Sequence, residues 1–233
     1  MRQICTLIGV LALELASACE TERAPKKDAP ATTQQAVSSP TPTAILERPM
    51  ALRLEGQWLL DSARVALAGG DSGLAATLLE QGASFLVKQA HAPPNRGTDD
   101  LLAAAHGLDS LANDVRQRRI IDSTRLDRLS AHANLGEAER HLALASVAWS
   151  TRSKESVSDE LTMAADHIQR AAGDGGIALS PAMRRALANL YAMVRDLSTQ
   201  RRLDMRELDE PLGGLHIEIQ AMHSRLEQAA KAR

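Results

Sequence analysis

Thr98-Asp-Asp-Leu-Leu-Ala-Ala-Ala-His-Gly-Leu-Asp-Ser-Leu-Ala-Asn-Asp-Val-Arg-Gln-Arg-Arg119 carries the pattern on which the fold depends. Its apolar positions Leu101, Ala105, Leu108, Ala112 and Val115 recur at spacings of four and three. At 3.6 residues per turn this spacing lines up one apolar stripe on a helix. Thr98 stands where an N-cap belongs, and Asp99 and Asp100 suit the positive end of the helix dipole. The same face returns over 180–200 as Met183, Leu187, Leu190, Val194 and Leu197. There Ser180 is the cap and Pro181 takes the first helical position, where its missing N–H costs nothing. Residues 72–90 set Leu74, Leu78, Leu79 and Leu86 beside Ala75 and Ala83.

Composition agrees with these stripes. Aromatic residues are 2% of the 233-residue chain, while hydrophobic residues reach 44%. Strands favour β-branched and aromatic side chains. This chain is built on Ala, Leu, Arg, Glu, Asp and Gln, so an all-α fold is expected. Trp58 and Trp149 are expected as filler in the core or between helices. The net charge is −2, which gives no global electrostatic case for a nucleic-acid partner.

Shifting the sequence by 82 positions matches it to itself. Glu55 meets Glu137, Leu60 meets Leu142, Ala63 meets Ala145, Leu79 meets Leu161 and Leu108 meets Leu190. Asp114, Arg119, Asp122 and Asp127 meet Asp196, Arg201, Asp204 and Asp209. Apolar periodicity does not require those polar pairs to recur, so the pattern predicts two tandem units of three to four helices, 50–136 and 137–233. Helix A is expected near 50–68 and 137–152, helix B near 72–90 and 155–172, and helix C near 98–119 and 180–201. A short capped helix follows Asp122 and Asp204, the latter with a capping box to Glu207. Breaks are expected at Gly69-Gly70, Pro93-Pro94, Gly173–Gly176 and Pro211–Gly214. A final helix near 215–231 falls where a third helix A would begin, as the terminal element of a short stacked array. A closed bundle is the alternative.

The N-terminus reads as an address. Residues 1–18 pair Arg2 with an apolar run from Ile4 to Leu13 and end in Ala16-Ser17-Ala18. That run is too short to span a bilayer, which needs roughly 20 apolar residues, and it has the form of a signal peptide. Small residues followed by Cys19 resemble the lipobox of bacterial lipoproteins. The departure is Ala16 where that family prefers Leu, with Leu15 one place further back. The resemblance implies diacylation of Cys19 after cleavage and anchoring in the cell membrane or outer membrane, facing periplasm or surface. Cys5 lies in the leader, so the exported part keeps Cys19 alone and forms no internal disulfide. Residues 19–49 then form a Pro-, Ala-, Thr- and Ser-rich tether, whose coil over 20–48 reaches about 30 Å.

Ala63-Arg-Val-Ala-Leu-Ala-Gly-Gly-Asp71, followed by Ala75, Leu78 and Leu79, resembles a helical hairpin of the YfdX family. That resemblance implies an exported bacterial helical protein linked to stress responses, without an agreed enzymatic activity. The second unit departs from it, with Thr151-Arg152-Ser153 in place of the Gly-Gly-Asp turn. Tetratricopeptide-like hairpins share the small-residue and Gly-Asp pattern, although their 34-residue period does not divide 82.

Candidate chemistry is sparse. Gly70-Asp71-Ser72-Gly73 matches the tetrapeptide around the nucleophile of trypsin-like proteases, but that motif needs a double β-barrel. It reads instead as a turn with Asp71 or Ser72 capping helix B. His216, Glu218 and His223 form the candidate metal cluster, needing a third ligand from another helix, His132 or His141. Glu137 and His141, four apart, read as a solvent-face pair. Arg116, Arg118, Arg119, Arg201 and Arg202 gather at the ends of the C helices, either as capping ion pairs with Asp114, Asp122, Asp196 and Asp204 or as an anion-binding strip. No phosphate-binding loop, dinucleotide glycine motif, zinc-protease motif or haem motif occurs, so neither catalysis nor a cofactor is expected. The function expected is a membrane-anchored, non-catalytic scaffold that binds an envelope protein. The alternative is a helical bundle that binds a metal ion or small ligand.

Overall fold

The computed structural model describes residues 42–119, 123–199 and 206–231, with side chains from residue 55 to 119, 123 to 199 and 208 to 231. The leader, Cys19, most of the tether, Asp122, Arg201, Arg202 and Asp204 lie outside the described residues. The fold is all-α. Seven helices are present among the described residues: α1 (Pro42–Ala68), α2 (Ser72–Ala90), α3 (Thr98–Arg116), α4 (Ser123–Ser150), α5 (Lys154–Gly175), α6 (Pro181–Ser198) and α7 (Arg206–Lys231). None is long and apolar enough to cross a membrane.

Neighbours in sequence pack as antiparallel pairs, and two cores result. The first joins α1, α2, α3 and part of α4 around Leu60, Leu79, Leu86, Leu101, Leu108 and Leu126. The second joins the rest of α4 with α5, α6 and α7 around Leu135, Leu142, Leu161, Ile168, Leu190 and Ile219. Each fully buried Leu or Ile contributes about 1.5–3 kcal/mol through removal from water. Helix α4 serves both cores, so it buries residues on opposite sides: Leu126 and Ala133 toward one, Ala131 and Leu135 toward the other.

At several positions burial repeats at the 82-residue spacing. Leu79 and Leu161 are both fully buried, as are Leu108 and Leu190, Val115 and Leu197, and Leu126 and Leu208. The connections between the first two helices of each unit share their geometry as well. Gly70 has φ +77° and Arg152 φ +61°, both left-handed. The amide of Gly70 donates to Leu67 O and that of Asp71 to Ala66 O, while Arg152 donates to Trp149 O and Ser153 to Ala148 O. The backbone turn is therefore the same where the residues differ most.

Several expected boundaries move. The expected tether boundary at residue 49 falls inside α1, which begins at Pro42. Proline suits the first helical position, and Ala44, Leu46, Glu47 and Arg48 are strong helix formers. The short capped helix after Asp122 and the second helix A are one continuous α4, which runs across the expected unit boundary at 136/137. The expected break at Pro211–Gly214 lies inside α7. Pro211 is six residues into that helix, so it removes one intrahelical bond, to Glu207, and the buried stripe Leu208, Leu215, Ile219, Met222 and Leu226 holds the rest. Helices α3 and α6 end at Arg116 and Ser198, slightly short of 119 and 201. Trp58 is not core filler; it is 61% exposed. Trp149 does pack, partly buried, against the second core.

The caps divide. Ser180 Oγ accepts from the Met183 amide, and Asp71 accepts from the Leu74 amide. Thr98 is not a cap. It is the first residue of α3, Gly97 holds the cap position in the left-handed region, and Thr98 Oγ1 donates back to Ala90 O at 3.2 Å.

Candidate functional site

Two glycines set the approach of α3 to α4. Gly97 has φ +69°, and a Cβ there would land on the carbonyl oxygen of Gly136 in mid-α4. At Gly136 a Cβ would press on Leu101 Cγ at 3.0 Å and on the Gly97 oxygen at 3.1 Å. Without side chains at either position, the first turn of α3 lies against α4. Asp100 sits in that turn and His132 lies one turn before Gly136 on α4. Helix α7 contributes His223 from its own buried stripe, beside Met222 and Leu226.

Asp100, His132 and His223 converge. One ligand atom from each residue lies within 4.8 Å of the other two. His223 Nε2 is 3.3 Å from Asp100 Oδ2. The His132 and His223 rings stack, with centroids 5.5 Å apart and planes inclined by 28°. His223 is 9% exposed, and its Nε2 is buried without a hydrogen-bond partner. Burial, and next the neighbouring His223, push the His132 imidazole below its usual range, against the opposing pull of Asp100 and Glu227. The neutral imidazole is the form that binds a metal.

The donor set fits a borderline ion such as Zn2+. Two ligands at about 2.0–2.1 Å from a tetrahedral centre lie roughly 3.3 Å apart. The separation of His223 Nε2 and Asp100 Oδ2 matches this, and the His132 ligand atom lies within 4.8 Å of both. Two imidazoles and one carboxylate would supply three positions to such an ion and leave a fourth for water or another ligand.

Of the residues expected to bind metal, the structure brings His223 and His132 together. His216 and Glu218 are elsewhere. His216 Nδ1 lies 3.4 Å from Glu139 Oε1, and Glu218 accepts from Ser180 Oγ at 2.8 Å. His216 and His223 are two turns apart, about 10 Å along one helix, too far to share an ion. Asp100 reads in sequence as a dipole-compensating acid, and no spacing rule connects it to helices far along the chain.

His141 belongs to a different cluster, and Glu137 with His141 is not a solvent-face pair. His141 is 2% exposed, its Nδ1 is 2.6 Å from Glu160 Oε2, and its ring stacks on His167 at 5.2 Å. His167 Nδ1 meets Asn134 Oδ1 at 2.8 Å. Asn134 Nδ2 and Ser130 Oγ donate to Asp174, which also receives Arg64 Nη2 at 3.4 Å. Burial raises the Asp174 carboxyl above its usual range, with Ser130 and Arg64 opposing.

Two of the three described residues of the expected strip, Arg116 and Arg119, are engaged with acids. Arg116 donates to Glu80, and Arg119 and Arg125 donate to Asp114 at 2.8 and 2.6 Å. These bonds, that from Arg125 foremost, hold Asp114 below the usual carboxylate range. Arg118 sits in the left-handed region at φ +51°, just beyond the end of α3. No family model, curated protein or solved structure matches the chain.

Proposed function

We propose that the chain is an exported helical protein, anchored to a bacterial membrane through Cys19, whose folded part binds a divalent transition-metal ion with Asp100, His132 and His223. The observation that carries the metal reading is the buried His223 Nε2, 3.3 Å from Asp100 Oδ2 and beside the stacked His132 ring. Three elements distant in sequence contribute one ligand each, so the site exists only in the folded state. Metal binding is then coupled to folding. The anchoring part of the reading rests on the leader and on Cys19 alone.

Calorimetric titration of the full chain with Zn2+ tests the metal reading. One ion per chain is expected, with a micromolar or tighter dissociation constant, lost in His223→Ala and retained in His216→Ala. Equal binding by wild type and His223→Ala overturns it. Anchoring is tested separately by Cys19→Ser, which is expected to release the exported protein from membranes.

A second reading, a scaffold that binds an envelope protein without catalysis, is favoured by one feature. Trp58, Val65 and Leu74 are 61%, 73% and 51% exposed and lie together on the outer face of α1 and α2. Large exposed apolar side chains grouped in this way mark interaction surfaces. Trp58→Asp is expected to abolish partner capture while leaving zinc binding intact.

A further inference from the structure

A chamber of about 90 Å3 lies among α1, α2, α4 and α5, distinct from the metal centre. From α1 and α2 come the apolar Leu60, Phe85 and Leu86, together with the polar Gln57, Asp61 and Gln89. From α4 and α5 come Arg140, His141 and His167. The Arg140 side chain is only 13% exposed. Its buried Nε has no hydrogen-bond partner. Its ion-pair acid, Glu137 Oε2, is 4.0 Å from Nη1, beyond hydrogen-bonding distance. A guanidinium presents five donors in a planar fork and loses much of their worth when buried without acceptors.

Packing does not demand this chemistry. Eighty-two positions earlier, Trp58, Leu59, Leu78 and Phe85 stand where the second unit has Arg140, His141, Glu160 and His167. Leu59 is 4% and His141 2% exposed, and Leu78 is 6% and Glu160 7% exposed. At these two pairs the equivalent fold positions bury hydrocarbon in one unit and ionisable groups in the other, while Trp58, the counterpart of Arg140, is exposed. Burying ions costs several kcal/mol each unless partners compensate; His141 and Glu160 compensate each other at 2.6 Å, whereas the buried Arg140 Nε has no acceptor.

We infer that this chamber is a binding site for a small monocarboxylic acid, with the carboxylate on the Arg140 fork and a short hydrocarbon tail against Leu60, Phe85 and Leu86. Arginine pairs with carboxylates through two parallel bonds, which supplies the missing acceptors. Asp61, Glu137 and Asp174 line the space beside Arg140 and Arg170, and three carboxylates against two guanidiniums disfavour a dianion such as phosphate more than a monoanion. The volume exceeds several-fold the roughly 10–15 Å3 that a single water needs, so there is room for a small ligand. Butyrate is a suitable probe.

The test titrates the full chain with sodium butyrate, butylammonium chloride and inorganic phosphate by calorimetry. Saturable one-to-one binding of butyrate is expected, with a dissociation constant below about 1 mM, and none of butylammonium. Arg140→Lys keeps the charge but loses the fork, and is expected to weaken butyrate binding about tenfold or more. Ala133→Leu fills the chamber from α4 and is expected to abolish binding. His223→Ala is expected to leave butyrate binding unchanged, which separates this site from the metal reading. The inference is overturned if wild type gives no saturable heat with butyrate, if phosphate or butylammonium binds as tightly, or if Arg140→Lys binds butyrate like wild type. Should both chamber variants fail to fold, the wild-type selectivity among the three probes decides the question.

Discussion

His132 and His223 stack ring against ring, centroids 5.5 Å apart, although one belongs to α4 and the other to α7. The contact ties the last helix to the helix shared by both cores. Asp100 joins it from α3, so three elements meet at one point. An ion held there would link the second core, to which α7 belongs, with the first, to which α3 belongs.

Zinc is accordingly expected to stabilise the fold by mass action. At a free concentration one hundred times the dissociation constant, the gain is about 2.7 kcal/mol. For a chain of this size the melting temperature rises by about 5–10 °C. Differential scanning calorimetry with and without a chelator checks this, and His132→Ala is expected to melt at one temperature in both.

Gly97→Ala is expected to lower stability by about 2–3 kcal/mol or more. The left-handed conformation alone costs an L-residue roughly 1–2 kcal/mol, and the new methyl meets the backbone of Gly136 rather than a side chain that moves aside. Because Asp100 lies one turn further along α3, the same substitution is expected to weaken zinc binding about tenfold. Urea unfolding and metal titration of one preparation measure both effects.

Arg152→Gly is expected to raise stability by about 1 kcal/mol. Arg152 is exposed and held at φ +61°, where the matching position of the first unit carries Gly70. Glycine removes the strain without disturbing the hydrogen bonds of the turn. Equilibrium unfolding of wild type and variant gives the difference directly.

Acid-limb stability is expected to separate two aspartates. Asp174 has a raised carboxyl in the folded chain, so the native state holds its proton more tightly than the unfolded state. Its contribution is present below the ordinary carboxylate range and is lost as pH rises through the folded value. Asp114 is lowered, so its contribution is present above that range and is lost as pH falls. Stability measured against pH in Asp174→Asn is therefore expected to rise more steeply than in wild type just above the ordinary aspartate range, and in Asp114→Asn less steeply below it.

Helix periods, most helix starts and the recurrence at 82 are local or self-referential, and each was legible in residues such as Leu101, Leu108, Ser180-Pro181 and the Leu79–Leu161 pair. Two misreadings have separate causes. Pro211 and the Gly213-Gly214 pair look like a break because local propensity favours one, and the 136/137 boundary rests on the 82-residue self-match, which does not see that α4 is continuous. Burial of Leu208, Leu215 and Ile219 overrides the first, and the close seat of Gly97 on α4 accounts for Gly136 within that helix.

The chain by itself therefore determined an all-helical protein with amphipathic stripes, because a period of 3.6 in side-chain polarity needs nothing beyond neighbouring residues to express it. Which polar groups meet was decided only by tertiary structure. Asp100, His132 and His223, like Arg140 and the walls of its chamber, come from helices brought together by packing, and side-chain encounters across helix surfaces depend on rotation and crossing angle that no spacing along one helix encodes.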